Sequence, residues 1–429
     1  MGVDGIWAEC KAVVRTVSLT DWAIEQSRLN GRPTVVGIDT PNMIDKILAS
    51  SGVHERMHGD GAIGSLISSI LQYTEVPATF VFAFDADSGG DISHKAGKKV
   101  VNKKIPFYNT ARRFIKSIGG HIVNGPGEAD IQLAMLSQQG YVDAVISDDG
   151  DMIVHNIGHV LRYNKKKSKN CGRIFVDEYC ASDVQRHLQL RSPADLLLIA
   201  VLVGNSYDRT GLKGCGMKTA LELARCGLGE VLVGKFKAAQ SPGLVRLEGW
   251  KAGLKFELET NSSRKLSGRN RALASRVQSF DPRAALSAYL KAIRLPTFIR
   301  INSRNGHPNQ SILKAYNYIQ EGISFDRLDK KENPGTPRIL TLNEVHIHSV
   351  RDFCITYMHW DCAKILQYFA RKVWAGVIIQ MLHSPFLVCD GLDNGSPRMP
   401  KSIHTPWHKA KAGEISWFNY SAHTHHVWD

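Results

Sequence analysis

The sequence lacks the features that mark membrane and secreted proteins. No apolar run reaches the roughly 18 residues that a membrane-spanning helix needs. The first stretch, MGVDGIWAECKAVV, carries acids where a secretory signal peptide is basic and then apolar. None of the eight cysteines belongs to a C-x-x-C pair, so neither a zinc ribbon nor a disulfide framework is indicated. We therefore expect an intracellular protein with reduced thiols and no membrane partner.

Positive charge, by contrast, is abundant. Lysine and arginine together number 54 against 40 aspartates and glutamates, which gives a net charge of +14. Such a balance suits a polyanionic partner, although basicity alone does not separate nucleic acid from an anionic membrane surface. The 429 residues predict two to three domains, and a hydrophobic content of 43% is enough to build a core.

Three apolar, β-rich runs predict buried strands of the parallel type, and each run ends in carboxylates. They are TVVGID ending at Asp39, TFVFAFD ending at Asp85, and VDAVISDD ending at Asp148 and Asp149. Helical patterns accompany them at 18–29, 62–74 and 128–139. Alternating strands and helices predict an α/β fold, a mainly parallel central sheet flanked by helices. Ligands of such sheets bind beyond the carboxyl ends of the strands, where one pocket could collect these acids.

The pattern changes after Tyr163. A basic stretch, NKKKSKN, reads as a loop and RIFVD as a short strand, and mainly helical sequence leads to the glycine-rich turn GLKGCG. Residues 300–338 are rich in Asn, Pro, Gly and charge, which is typical of a linker or a mobile insertion. Helical spacing returns at 340–383, where Phe369 and Trp374 are expected in the core of a helix rather than in a base-stacking platform.

The acids also occur as two close pairs. Glu128 and Asp130 begin a helix after GPG, while Asp149 and Asp151 flank Gly150 directly after a strand. Phosphodiester hydrolysis needs charge stabilisation on the attacking and leaving oxygens, which two divalent ions about 4 Å apart provide. Mg²⁺ takes oxygen ligands and keeps several waters, so a loose cup of carboxylates suits it. Any one of these acids could be an ordinary N-cap or turn residue, but the whole set favours a metal site.

These residues carry a family resemblance. GPGEADIQLAMLSQQG, AVISDDGDMIVHN and GLKGCGMKTALELA follow MGVDGIW and VVGID in the order found in the flap endonuclease/XPG superfamily, whose fold is PIN-like. The resemblance covers about residues 1–240. ARCGLGEVL and FCITYMHWDCAKILQYFARKVWAGVIIQML are similar to Gen-type Holliday-junction resolvases, especially fungal ones. Asp85 and Glu128 are 43 positions apart, which leaves no XPG-like spacer and little room for the helical arch of flap endonucleases.

The resemblance implies a set of catalytic residues and a cofactor. The cofactor is two Mg²⁺ ions per site, with Mn²⁺ as a substitute. Lys95 and Lys99 match basic residues that contact the scissile phosphate, and they would share one face if that segment were helical. The positions that match metal ligands are Asp39, Asp85, Glu128, Asp130, Asp149 and Asp151.

One position departs from the family pattern. The motif that usually reads G-x-D-Y is GNSY here, with Ser206 where a last metal-binding Asp is expected. A hydroxyl adds no negative charge and is a weaker Mg²⁺ ligand than a carboxylate, so the second metal should bind less tightly. Asp208 could substitute through a water molecule. We expect weakened rather than abolished catalysis.

Several positions match DNA-contacting elements. GLKGCGMK resembles the phosphate-binding turn of a helix–two-turn–helix at about 204–240, in which glycines let the backbone approach DNA. The alternative is an ordinary glycine cap and turn. The lysine runs could bind phosphate, act as a nuclear-import signal, or simply be solvated. The predicted DNA-binding residues are Gly2, Lys98, Lys103, Lys104, Lys165, Lys166, Lys167, Gly214, Gly216 and Lys218.

Together these features predict a nuclear, Mg²⁺-dependent endodeoxyribonuclease of DNA repair and recombination that cleaves branched double-stranded DNA, Holliday junctions or 5′ flaps. Two incisions at a four-way junction imply a homodimer on DNA. The rivals are a flap endonuclease proper and a nuclease-derived DNA-binding protein; an RNA-directed nuclease is disfavoured by analogy alone.

The predicted parts are a nuclease core (1–298), a linker or mobile insertion (299–338), a helical C-terminal segment (339–384), and a disordered or incomplete chromodomain-like tail (385–429). Histidines 423, 425 and 426 of this tail are not expected to bind metal.

Overall fold

A central sheet organises the computed structural model. The structure describes residues 2–31, 33–50, 60–85, 94–95, 98–99, 105–124, 128–239, 242–290, 345–374 and 378. The predicted linker and tail therefore lie outside the described residues. Within the described ranges, every helix is too short or too polar to cross a membrane.

The described strands are β1 (Arg15–Ser18), β2 (Thr34–Asp39), β3 (Ala78–Phe84), β4 (His94–Lys95), β5 (Lys98–Lys99), β6 (His121–Asn124), β7 (Ala144–Ile146), β8 (His159–Tyr163) and β9 (Phe175–Cys180). Seven of them, all except β4 and β5, form one sheet in the order β1-β9-β8-β7-β2-β3-β6. The pairs β6/β3, β3/β2, β2/β7 and β7/β8 are parallel, and β9 pairs antiparallel with both β8 and the edge strand β1. The predicted fold, with a mainly parallel central sheet, is confirmed. The strands β4 and β5 form a separate antiparallel pair.

Helices surround the sheet. The helix predicted at 18–29 has Ser18 as its N-cap, and the one predicted at 62–74 gives way to a 3₁₀ turn, Gln72–Glu75. The helices are α1 (Ile6–Glu9), α2 (Leu19–Asn30), α3 (Thr40–Ser50), α4 (Asp60–Leu71), α5 (Ile105–Ser117), α6 (Ala129–Gln138), α7 (Asp151–Val154), α8 (Lys165–Cys171), α9 (Ala181–Leu188), α10 (Pro193–Val203), α11 (Met217–Ala224), α12 (Leu228–Ala238), α13 (Glu248–Thr260), α14 (Arg271–Ala274), α15 (283–290), α16 (Ile347–Met358) and α17 (Cys362–Tyr368).

The structure settles two local points, a predicted loop that is wrong and a helical arrangement that was only conditional. The basic stretch NKKKSKN is not a loop but helix α8, because the Asn164 side chain accepts from Lys167 N at its start and Gly172 ends it with a left-handed φ of 64°. Lys95 and Lys99 do not share a helical face, because they belong to the paired strands β4 and β5.

Side chains alternate between the two faces of the sheet and build two apolar clusters. Val35 and Val81 face one cluster, which includes α6, α10 and α15. Val36 and Phe82 face the other, which includes α2, α4 and α5. Successive strand residues point to opposite faces, so this alternation makes a sheet buried on both sides.

The C-terminal helices pack on the second cluster. Phe353 of α16 contacts Phe114 of α5 edge-on, with ring centroids 5.2 Å apart. Phe369, in a π-helical turn after α17, is 1% exposed, and Trp374 packs partly buried against the same cluster. The expected core position of Phe369 is confirmed. This segment therefore forms part of the layer that covers the sheet.

Candidate functional site

The predicted acidic residues lie close together where the parallel strands of the sheet end. We call them the acidic group: Asp39, Asp85, Glu128, Asp130, Asp149 and Asp151. Asp39 is the last residue of β2, Asp85 follows β3, and Asp149 follows β7. These three strands are adjacent, since β2 lies between β3 and β7. Glu128 is the N-cap of α6, and Asp130 lies in its first turn. The parallel arrangement of the strands is what places these carboxylates at one edge.

Asp39 sits at the centre of this group and is 6% exposed. Its Oδ2 accepts a 2.7 Å hydrogen bond from Ser147 Oγ, and its Oδ1 accepts from Asn42 N at 3.2 Å. Burial raises the pKa of Asp39 to about 6, and the charges of Asp85 and Asp149 raise it further against the effect of the two hydrogen bonds. Mutual repulsion among carboxylates from three strand ends is a direct sign that they face one space.

Asp85 and Glu128 link the strand ends to α6. Asp85 Oδ1 accepts from Ala129 N at 3.0 Å, which ties the end of β3 to the first residue of the helix. Glu128 is 7% exposed, and its Oε2 accepts a 2.8 Å hydrogen bond from the Tyr207 hydroxyl. Glu128 therefore lies inside the fold with a defined hydrogen-bond partner.

Asp149 and Asp151 lie on the turn after β7. Asp149 Oδ1 accepts from Asp151 N at 3.1 Å, which fixes the turn. Asp151 is 1% exposed and accepts two hydroxyl hydrogen bonds, from Ser206 Oγ to Oδ2 at 3.2 Å and from Tyr289 to Oδ1 at 2.9 Å. Three distant parts of the chain thus meet at this carboxylate.

Ser206 therefore contacts the acidic group, as its place in the motif suggested. Asp208 is engaged elsewhere: its Oδ1 accepts from the backbone amides of Thr210 and Gly211, at 3.0 and 3.3 Å. That carboxylate caps its own loop. The expectation that Asp208 replaces the missing acid gains no support from this arrangement.

Two tyrosines at the site were missed by sequence reasoning. Burial, followed by the charges of nearby carboxylates such as Asp130 and Asp151, raises the pKa of both Tyr207 and Tyr289 well above the ordinary tyrosine value. Both hydroxyls therefore stay protonated and donate. Tyr207 adjoins Ser206 in the recognised motif, but Tyr289 lies 138 positions from its partner Asp151, and no local pattern marks it.

The carboxylate adjacent to Asp149 has a different role. Asp148 forms ion pairs with Lys46 and with Arg162, whose Nε lies 3.2 Å from its Oδ1. Trp7 packs under the Arg162 guanidinium at 4.4 Å and donates to the Asp148 carbonyl. Asp148 is thus a structural residue that joins the amino terminus to the sheet.

The donor set suits a hard cation held partly through water. In the described parts of the chain, no three His, Cys, Asp or Glu side chains are arranged to hold one metal ion directly. The donors are carboxylates, which Mg²⁺ prefers, and Mg²⁺ commonly keeps several waters and few protein ligands. Burial and, after it, repulsion from Asp85 and Asp149 raise the pKa of Asp39, and a cation among these three carboxylates would relieve that repulsion. The residues therefore fit Mg²⁺ in charge and donor type.

Gly2 lies against this group. Its φ of +86° is a left-handed conformation, and a Cβ there would collide with the Asp149 carboxylate and lie 2.8 Å from Asp151 N. Only glycine fits such a position without strain. Gly2 therefore lies beside the acidic group. Contact between Gly2 and DNA stays a prediction.

The predicted basic residues divide into three groups. Lys165, Lys166 and Lys167 are exposed on α8, and Lys167 Nζ also lies 4.6 Å from the Phe175 ring. Lys95, Lys98 and Lys99 belong to the β4/β5 pair. Lys103 and Lys104 lie outside the described residues. DNA contacts by all of these residues stay predictions.

The glycine turn lies between α10 and α11. Gly216 is the N-cap of α11 and Lys218 is exposed in its first turn. Gly214 has a φ of +90°, and Arg276, far along the chain, donates from Nη1 to Lys213 O at 2.8 Å. Arg276 thus braces the turn from outside, and sequence reasoning missed it.

Replacing Gly214 with alanine should lower the free energy of unfolding by about 1–3 kcal/mol, because alanine disfavours the left-handed φ of +90° and its Cβ would also displace the Arg276 guanidinium from Lys213 O. Chemical denaturation measures the change. Gly268→Ala is the matched control, since an added Cβ at Gly268 meets nothing within 4 Å. Equal losses in the two variants would contradict the steric explanation.

Comparisons with known proteins agree with the geometry. Residues 119–206 match the model of the XPG I-region family. The chain is 27% identical to Flap endonuclease 1 of Methanocaldococcus jannaschii over 141 residues, which are 33% of this chain and 41% of that protein. It is 32% identical to Flap endonuclease GEN-like 1 of Arabidopsis thaliana over 111 residues, 26% of this chain and 18% of that protein. The chain thus spans less than half the length of these curated relatives.

The fold is also shared with a solved structure, the Holliday junction-resolving enzyme GEN1 in complex with product DNA and Mg²⁺. The TM-score is 0.59 at 22% identity, over 89% of this chain and 80% of that one. The family match covers α6, β7 and the loop that carries Ser206, which are the elements that supply most of the acidic group. Residues 119–206 therefore match the XPG I-region family, and the chain is similar in sequence to flap endonucleases, a GEN-like one among them.

Proposed function

We propose that this protein is a divalent-metal-dependent, structure-selective endonuclease that cleaves branched double-stranded DNA. The observation that carries the proposal is the convergence of Asp39, Asp85 and Asp149 at the ends of three adjacent strands. Glu128, Asp130 and Asp151 extend this group on one side. When bound, Mg²⁺, or Mn²⁺ in its place, would supply the positive charge that a phosphodiester needs during hydrolysis.

The chain's own residues orient this chemistry. Ser147 and Asn42 hold the Asp39 carboxylate in one orientation, and the Asp85 carboxylate is fixed by the Ala129 amide. We assign Asp39, Asp85 and Asp149 as direct or water-mediated ligands of one ion. Glu128, Asp130 and Asp151 would serve a second ion, with Ser206 replacing a charged ligand by a neutral one. This second group has a hydroxyl where the family pattern has one more carboxylate, so it should bind its ion more weakly than a group that keeps that acid.

DNA recognition in the proposal rests on charge and shape. The turn with Gly214 and Gly216, the start of α11 with Lys218, and the exposed lysines of α8 offer backbone-phosphate contacts that read no sequence. Lys95 and Lys99 are proposed to contact the phosphate near the cut. Two incisions at a four-way junction would need two copies of the chain on one DNA. The exposed run on α8 also suits nuclear import, in accord with a nuclear role in repair and recombination.

Incision of labelled substrates tests the activity. A 5′ flap, a four-way junction and an intact duplex of matched sequence would be incubated with Mg²⁺ and the cuts mapped to the nucleotide. We expect cleavage of branched substrates near the branch point and little cleavage of the duplex. Faster cleavage of the four-way junction than of the flap would favour a junction-resolving enzyme. Faster cleavage of the flap would favour a flap endonuclease.

The second candidate is a DNA-binding protein whose catalysis has decayed. Ser206, at a position where the family pattern has a metal-binding acid, favours it. Mg²⁺-dependent incision that disappears in the Asp149→Ala, Asp151→Ala double variant would exclude this account. Tight branched-DNA binding with no incision in Mg²⁺ or Mn²⁺ would favour it.

The variant Ser206→Asp should restore the missing charge. We expect roughly tenfold lower Mg²⁺ for half-maximal incision, because a carboxylate is a stronger Mg²⁺ ligand than a hydroxyl. The new carboxylate would adjoin Asp151 within hydrogen-bond range, so melting temperature in EDTA should fall and should recover with Mg²⁺.

Ser206→Asn is the matched control for that variant, since it changes size in the same way without adding charge. It should leave the Mg²⁺ requirement within about twofold of the parent protein, well short of the order-of-magnitude gain expected from charge. Identical metal titrations for the Asp and Asn variants would remove the explanation that charge is what this position lacks.

A further inference from the structure

Tyr289 lies behind the acidic group and outside the segment that matches the family. It belongs to α15, which packs in the first apolar cluster, and its side chain is 0% exposed. A tyrosine buried to this degree needs a partner for its hydroxyl. That partner is Asp151 Oδ1, at 2.9 Å, in a fully buried hydrogen bond.

The ring of Tyr289 is fixed from two sides. It meets the Tyr207 ring edge-on, with centroids 5.6 Å apart and an interplanar angle of 85°. It meets the His155 ring at 5.2 Å. Burial lowers the pKa of His155 to about 4, so this neighbour is an uncharged ring at neutral pH. His155 N donates to Asp151 O at 2.8 Å, which keeps that ring one turn from the carboxylate.

Both neighbours of Tyr289 are hydrogen-bonded to residues of the acidic group. The Tyr207 hydroxyl donates to Glu128 Oε2, and the backbone amide of His155 donates to the backbone carbonyl of Asp151. A carboxylate that accepts a hydrogen bond from a fixed donor loses rotational freedom, and such outer partners are worth about 10- to 100-fold in metal affinity. The packing leaves the Tyr289 hydroxyl little room to point elsewhere.

We propose that Tyr289 is a positioning residue that, together with Tyr207, holds Asp151 and Glu128 in the orientation required to bind a divalent ion. The inference rests on the proposed function, because it assumes that these carboxylates bind metal. It makes α15, near the end of the predicted nuclease core, a structural part of the metal centre. Tyr289 acts only through Asp151 and touches no substrate.

Metal binding without DNA tests the role independently of catalysis. The full chain and its Tyr289→Phe variant would be titrated with Mn²⁺ while the EPR signal of the free ion is recorded. We expect the variant to bind Mn²⁺ about tenfold more weakly, because only the hydroxyl that orients Asp151 is lost. Tyr207→Phe should weaken Mn²⁺ binding in the same direction, and it serves as the second variant if Tyr289→Phe folds poorly.

Tyr73→Phe is the matched control. Tyr73 is also buried, but it packs against Phe80 in the other cluster, and its loss of a hydroxyl should leave Mn²⁺ affinity unchanged. If the parent protein binds Mn²⁺ and both site variants bind it equally well, the positioning role is wrong while the proposed function stands. If the parent protein binds no Mn²⁺, the metal-dependent function fails and this inference with it.

Discussion

Replacing Asp85 with asparagine is expected to lower the rate of branched-DNA incision by at least about 100-fold. The amide oxygen of asparagine can still accept from Ala129 N, so the link between β3 and α6 should persist. The negative charge that would face a divalent ion is lost, and metal-ion stabilisation of a hydrolytic transition state is worth several kcal/mol, at 1.36 kcal/mol per tenfold in rate. Single-turnover incision at saturating Mg²⁺ measures the loss.

Asp177→Asn provides the comparison for that variant. Asp177 lies on β9 of the same sheet, but it bonds Thr16 and Asn164 rather than any residue of the acidic group. Its replacement should leave incision within about twofold, since no metal ligand changes. Branched-DNA affinity of both variants, measured in Ca²⁺ to suppress cleavage, should stay close to that of the parent. An Asp85→Asn protein that cuts at the parental rate would remove Asp85 from the metal centre.

The acidic group was predictable because its position in the fold depends on local sequence patterns. Apolar runs that end in Asp39 and Asp85 mark strand ends, and parallel strands bring their ends together. The helix at 165–171 was equally within reach, since Asn164 and Gly172 are an N-cap and a C-terminal glycine around it, but the lysine run was read as a loop.

Long-range partners were not predictable from the sequence. Asp148 and Asp149 are neighbours with the same chemistry, and only the positions of Lys46 and Arg162 make the first an ion-pair residue. Tyr289 reaches Asp151 because α15 folds back under the turn after β7. Arg276 likewise braces a turn 63 positions away. Such contacts follow from tertiary packing, which periodicity in one segment does not encode.

A second large effect is expected at Glu178, on β9 next to the edge strand β1, where glutamine should destabilise the protein by about 3 kcal/mol at pH 7. Glu178 is 5% exposed and accepts from Arg15 Nε at 2.6 Å and from Trp22 Nε1 at 2.7 Å, with His159 Nδ1 at 2.8 Å. Burial alone would raise the pKa of Glu178, but the hydrogen bonds from His159, Trp22 and Arg15 outweigh it and lower the pKa from 4.5 to about 2. A lowering of the pKa from 4.5 to about 2 corresponds to about 3 kcal/mol of stability at pH 7.

The pH dependence follows from the direction of that shift. Because the carboxylate has a lower pKa in the folded state, its contribution is complete above the unfolded value near 4.5 and is lost as pH falls towards 2. The difference in unfolding free energy between the parent protein and Glu178→Gln should therefore be constant from pH 7 to about 5.5 and shrink below about pH 4.5. Urea denaturation at pH 7, 5.5, 4 and 3 measures this difference.

Glu25→Gln separates burial from simple charge pairing. Glu25 pairs with the same Arg15 at 2.9 Å, but its side chain is 45% exposed, so solvent screens the interaction. Exposed pairs of this kind are worth at most about 1 kcal/mol, and the Glu25→Gln change should stay under that value. If the two variants lose equal stability, or if the Glu178→Gln difference persists unchanged at pH 3, then the buried carboxylate is not what secures β9 and β1 to α2 at this edge of the sheet.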